Sequence, residues 1–158
     1  MNKLFFLLTL FSFSMYTHSA NADQTATTAN SPTGYWQTID DVTGQPKAIV
    51  KIDQLPNQSL SAHILKIYPQ PGQDQNPRCT ECKDERHNQR IIGLQIMEDL
   101  KQDKKNRQAW TNGKILDPKN GKIYHCNIQL MENNKLQVRG YIGLPLFGRS
   151  QTWIRTTL

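Results

Sequence analysis

Two cysteines sit three positions apart in Arg78-Cys79-Thr80-Glu81-Cys82, and by type and spacing they are the residues best equipped for chemistry. Three chemistries use such a pair. A thioredoxin-like redox centre needs the first cysteine at a helix N-terminus, whose dipole lowers the thiol pKa. The flanks here, Asn76-Pro77-Arg78 and Lys83-Asp84-Glu85-Arg86, carry no βαβ pattern. A metal site needs more ligands. His87, His125 and Cys126 are the candidates, with no second Cys-x-x-Cys and no paired-histidine motif to complete them. A staple needs only an oxidising compartment, where thiols this close join. The staple is therefore the favoured expectation. A reactive rim using Cys79, Cys82 and His87 is the alternative. Cys126 is then left over as a buried, inert thiol. Asp40, Asp41 and Asp117 lie among turn residues, and His63 stands alone on a strand. No Ser-His-Asp order, phosphate-binding loop or dinucleotide fingerprint is present. The sequence thus assigns no catalytic residue, no cofactor and no metal.

The staple depends on the compartment, and the compartment is read from the first residues. Lys3 precedes LFFLLTLFSFSM, an apolar run too short for a stable membrane anchor, which needs roughly 20 residues. Ala20-Asn21-Ala22 then fits the small-x-small cleavage rule. Residues 1–22 read as a signal peptide, which predicts a periplasmic or secreted protein beginning at Asp23. Nothing later resembles a transmembrane segment, so the mature chain is expected to have none. Residues 23–33, DQTATTANSPT, lack apolar periodicity and read as a flexible lead-in to one domain over 34–158. The formal net charge is +6, but the basic residues are scattered, and Asp99 and Asp103 fall within or beside the densest cluster, Lys101 to Arg107. A nucleic-acid partner is not expected, since it would need a basic face bearing aromatic or base-reading groups.

The apolar period along the domain is two, the period of half-buried strands. Ala48, Val50 and Ile52 share one face; so do Tyr124, Cys126, Ile128 and Leu130; so do Leu136, Val138, Gly140 and Ile142. Strands are expected at 34–39, 47–54, 59–67, 91–97, 108–116, 122–131, 135–142 and 150–156. Asp117-Pro118-Lys119-Asn120-Gly121 and Glu132-Asn133-Asn134-Lys135 supply turns between them. Residues 92–107 are ambiguous, because Ile92, Ile96 and Leu100 also share a helical face, so one short helix competes there. The connections are short and imply antiparallel neighbours. A single open layer would leave an apolar face and two edges exposed, and closure removes both problems. The expected fold is all-β: a small antiparallel up-and-down β-barrel of about eight strands. Residues 68–90 form its longest loop, a natural lid or rim.

Gly34-Tyr35-Trp36 on the first strand and Arg155 on the last resemble the Gly-x-Trp and terminal arginine of lipocalin-type barrels. That resemblance implies a lipocalin/calycin-like barrel with the tryptophan closing one end and the arginine packed over it. The chain resembles more closely the exported bacterial proteins known as the domain of unknown function 2147 family. The pattern runs GYWQTIDDVTGQPKAIVKI, CTEC, IIGLQI, NGKILDPKNGKIYHC, VRGYIG and GRSQTWIR, covering nearly all of 34–156. The motifs are individually loose; their order and spacing together are specific. This second resemblance implies the same barrel and no known activity.

Two function classes survive, with a third beside them. One is a binding module that holds a small apolar or amphipathic ligand, or docks an envelope protein partner at its rim. Its candidate residues are Trp36, Trp110, Trp153, Tyr124 and Arg155, with Leu144 and Phe147 from the apolar loop Gly143-Leu144-Pro145-Leu146-Phe147-Gly148. The other is an enzyme assembled on the rim. The third is a filled barrel acting through its outer surface, favoured by three bulky inward tryptophans.

Overall fold

In a computed structural model describing residues 30–158, the eight expected strands all form. They are β1 (Gly34–Ile39), β2 (Pro46–Gln54), β3 (Leu60–Ile67), β4 (Gln95–Gln102), β5 (Ala109–Asp117), β6 (Lys122–Met131), β7 (Lys135–Tyr141) and β8 (Arg149–Thr156). Each pairs antiparallel with the next, and β8 returns to β1 to close the barrel. The expected signal peptide, residues 1–22, lies outside the described residues.

Alternation explains which side chains fill the inside. Val50, Ile52, Leu60, Ala62, Cys126, Ile128, Leu136 and Val138 are buried. Lys51, Lys66, Glu98 and Lys114 face outward, with Lys114 Nζ 3.3 Å from Glu98 Oε1. Such exposed pairs add little stability, and burial of the apolar set carries the fold. The register separates two ends. Gly34, Gln54, Leu60, Gln102, Ala109, Met131, Lys135 and Thr156 gather at one end; Ile39, Pro46, Ile67, Gln95, Asp117, Lys122 and Arg149 gather at the other.

The fourth strand departs from expectation. It occupies 95–102 rather than 91–97, and the competing helix does not form. Ile92 is on the surface, whereas Ile96, Met97 and Leu100 are all buried. The cause is a β-bulge. The β3–β4 register shifts between Leu60 and Ala62, and Asp99 takes φ 62°. An extra residue in a strand breaks the period of two. Met97 and Leu100 thereby come to share burial at an odd, helix-like spacing of three. A second bulge lies opposite in β5, where Asn112 has φ 61° and the register shifts between Trp110 and Gly113. Leu100 fills the space beside Gly113, where any Cβ would collide with it. Within the loop 143–148, Pro145–Phe147 form one turn of 3₁₀ helix that begins with the proline.

Candidate functional site

One end of the barrel is closed by Trp36. Its ring is fully buried, and its Nε1 donates to the Pro32 carbonyl at 2.7 Å. Trp36 and Arg155 are cross-strand partners, and the guanidinium carbon lies 4.2 Å from the ring centroid. Arg155 also donates to the carbonyls of Thr33 and Ser31. Residues 31–33, at the end of the segment expected to be a flexible lead-in, are thus held against the barrel end. Burial pulls the Arg155 guanidinium below its ordinary pKa. Trp110 is buried nearby and borders a polar cleft of about 430 Å³ with Leu60, Gln54, Gln58 and Lys101.

The other end is open. A cavity of about 490 Å³ enters the barrel there. Its wall is apolar: Val50, Ile64, Ile96, Ile115, Val138 and Trp153. Polar groups stand among and above them: Thr38, Tyr124, Gln151, Arg149, Lys47 and Asn120. Asn120 Nδ2 donates to the Tyr124 hydroxyl at 3.2 Å. Arg149 pairs with Asp41 at 2.7 Å, and Gln151 Nε2 donates to the same carboxylate at 2.9 Å. Trp153 Nε1 is buried without a hydrogen-bond partner among the described residues. Ile142 and Phe147 carry the lining up onto the rim.

The structure therefore divides the residues singled out in the sequence. Trp153, Tyr124 and Phe147 meet at the open cavity. Trp36 and Arg155 lie at the opposite end, Trp110 borders the polar cleft there, and Leu144 stands on the tip of the rim, 64% exposed, outside the cavity lining. The polar rim residues Thr38, Lys47 and Gln151 were missed. Their one signal was position, at strand ends facing the mouth, which emerges only once the registers are known.

Cys79 and Cys82 are joined in a disulfide, with α-carbons 5.4 Å apart. Both are buried. They anchor a small lobe in which Cys79 N donates to Gln89 O at 2.9 Å, Asn88 N to Cys79 O at 3.0 Å and Ile91 N to Pro77 O at 3.0 Å. His87 Nδ1 donates to the Cys82 carbonyl at 2.9 Å. Arg86 pairs with Asp84, which holds that carboxyl below its ordinary pKa, and reaches Gln95 O at 3.2 Å. The lobe sits on the β5–β6 turn. Gly121, at φ 65°, lies so close to Glu81 that any Cβ there would strike its carbonyl. Residues 68–90, expected to be lid or rim, join β3 to β4 at the open end, and none of them lines the cavity. Cys126 is a free, buried thiol on β6, and desolvation pushes its pKa up to about 12. No three His, Cys, Asp or Glu side chains gather as metal ligands among the described residues. Asp40 is a turn residue: its Oδ1 accepts from Val42 N, Thr43 N and Thr43 Oγ1. Asp117 does the same for Lys119 N and Asn120 Nδ2.

A closed eight-stranded barrel with one plugged and one open end is a lipocalin-like architecture. Protein HP1028 from the human pathogen Helicobacter pylori, described as belonging to the lipocalin family, has a similar solved structure. The TM-score is 0.65 at 18% sequence identity, covering 79% of this chain and 82% of that one. Residues 34–155 match the family described as "Uncharacterized protein conserved in bacteria (DUF2147)", and the chain belongs to that family. A comparison with curated proteins finds no match.

Proposed function

We propose that this is an exported, periplasmic barrel protein that binds a small apolar or amphipathic ligand in its open end and carries out no catalysis. The observation that carries the reading is the cavity of about 490 Å³, apolar inside and polar at its rim. Small-molecule sites have this character, at roughly 300–1,000 Å³. The filled-barrel reading has less support, because two of the three tryptophans, Trp36 and Trp110, lie at the closed end. Rim chemistry by Cys79, Cys82 and His87 also has less: both sulfurs are in a disulfide and buried, and His87 is engaged by a carbonyl. Export is supported by the N-terminal sequence and is compatible with the disulfide.

Native mass spectrometry of protein from the periplasmic fraction tests the ligand. A small molecule that co-purifies and is displaced by an apolar fluorescent probe is the expected result. A protein that carries no ligand and takes up no apolar probe would sink the reading. N-terminal sequencing of the same sample tests export, with Asp23 expected first and an intact Met1 on the soluble protein counting against it.

A further inference from the structure

The open end also carries a protrusion that the ligand cavity does not explain. Ile142, Leu144, Leu146 and Phe147, all in the β7–β8 connection, are 66%, 64%, 79% and 76% exposed. The 3₁₀ turn within it buries none of its residues. Val42, in the β1–β2 turn, is 90% exposed. The two connections are tied together, since Asp41 is held by both Arg149 and Gln151. Their apolar side chains therefore rise from one sector of the rim.

This loop is braced in its exposed position. Arg139 donates through Nε to Pro145 O at 2.8 Å, through one terminal nitrogen to Leu146 O at 3.1 Å and through the other to Ser150 Oγ at 2.8 Å. Gly148 packs so closely on Gly140 O that a Cβ there would collide. Apolar side chains held out in water by a dedicated scaffold mark an interaction surface.

We propose that this rim docks on an anionic lipid bilayer, with Val42, Leu144, Leu146 and Phe147 entering the interface and the barrel mouth facing it. Two observations select a bilayer as the occupant. The first is continuity: Ile142 and Phe147 belong both to the protrusion and to the cavity lining, so one apolar path runs from the tip into the barrel. A folded partner seated there would stop the mouth. A bilayer would instead supply or receive a poorly soluble ligand through it. The second is charge. Lys47, Lys119 and Lys122 lie at this end, in no ion pair among the described residues, on a chain of formal net charge +6. Of the nearby acids, Asp41 is paired with Arg149, Asp117 accepts hydrogen bonds within its own turn, Asp40 does likewise while facing Lys47, and the lobe on the β5–β6 turn brings Glu81 beside Gly121. Basic side chains beside inserted apolar ones suit an anionic headgroup layer.

The docking step stands apart from the ligand reading; only the loading of the cavity rests on it. The test is co-sedimentation of the purified protein with phosphatidylcholine vesicles and with vesicles containing phosphatidylglycerol. Binding to the second kind is expected, and Val42→Asp with Leu146→Asp should reduce it about tenfold or more. Both side chains are exposed and outside the cavity lining, so the thermal melt and apolar-probe uptake should be unchanged. The proposal is overturned if the parent protein stays in the supernatant. It is overturned equally if the double variant binds like the parent, which would leave charge alone as the attraction. Light scattering adds a third way to fail: a dimer that the double variant dissociates would make a second copy of the chain the occupant. Docking without probe uptake would refute the ligand reading and leave the docking intact.

Discussion

Two tryptophans that look alike in the sequence have opposite hydrogen-bond fates. Trp36 Nε1 has an acceptor in Pro32, while Trp153 Nε1 is buried without a partner among the described residues. Losing a satisfied bond leaves the acceptor unpaired, whereas deleting an unsatisfied donor removes a desolvation cost. Trp36→Phe should therefore cost about 1 kcal/mol more than Trp153→Phe in urea unfolding, and an equal loss would count against the geometry. Trp36→Ala should cost roughly 3–5 kcal/mol, as large aromatic truncations in a core do. Cys126 gives a pH dependence. Its thiol pKa rises from 9.0 to about 12 on folding, because burial disfavours the thiolate. The folded chain then keeps a proton that the unfolded chain releases. The contribution to stability is fully present below pH 9.0 and falls as pH rises toward about 12, by up to about 1.4 kcal/mol per pH unit. Cys126→Ala should flatten this alkaline limb in chemical denaturation measured across pH. The contact of Trp36 with Arg155 was legible from a family resemblance. The fate of each indole N–H was not, because it depends on a carbonyl brought in by tertiary packing.

At the scale of elements, strand legibility followed local pattern. β1 and β6 match their expected bounds, and six of their neighbours differ by a residue or so or, in β4, by a shift. β4 was misplaced for a physical reason. Sequence alternation reveals a strand only while its register is unbroken, and the bulge at Asp99 breaks it. The pairing of Cys79 with Cys82 was legible from spacing and compartment, but its docking on the β5–β6 turn was not, since Gly121 and Glu81 are forty residues apart in the chain. The disulfide closes so short a loop that its removal should cost only roughly 2 kcal/mol on the chain-entropy account. For Cys79→Ala with Cys82→Ala, hydrogen exchange should accelerate in residues 77–91 and stay slow in β5 to β8. Acceleration spread evenly over the barrel would show that the staple holds the whole fold rather than its lobe.

For the whole molecule, the barrel was legible because eight alternating segments joined by short turns have few ways to hide their edges. The open lumen was not, since whether eight strands enclose a filled core or a cavity turns on which end each large side chain occupies. That asymmetry yields an optical prediction. Trp153 lines the cavity, while Trp36 and Trp110 lie toward the other end. Loading an apolar ligand should shift the emission of a variant retaining only Trp153, and leave one retaining only Trp36 unchanged. A shift seen only with Trp36 would put the ligand at the wrong end. The pairing of β1 with β8 has a further consequence. Tyr35 and Thr156 are cross-strand neighbours at the plugged end, so the domain begins and finishes at nearly the same point, facing away from the mouth. A short linker could join those two points, and the chain could be reopened at the exposed Glu132–Asn134 turn on the same end. Such a circular permutant would keep every strand pairing. A reporter inserted just before β1 or just after β8 would stand clear of the opening, so immobilising the barrel there would present the mouth to whatever is offered to it.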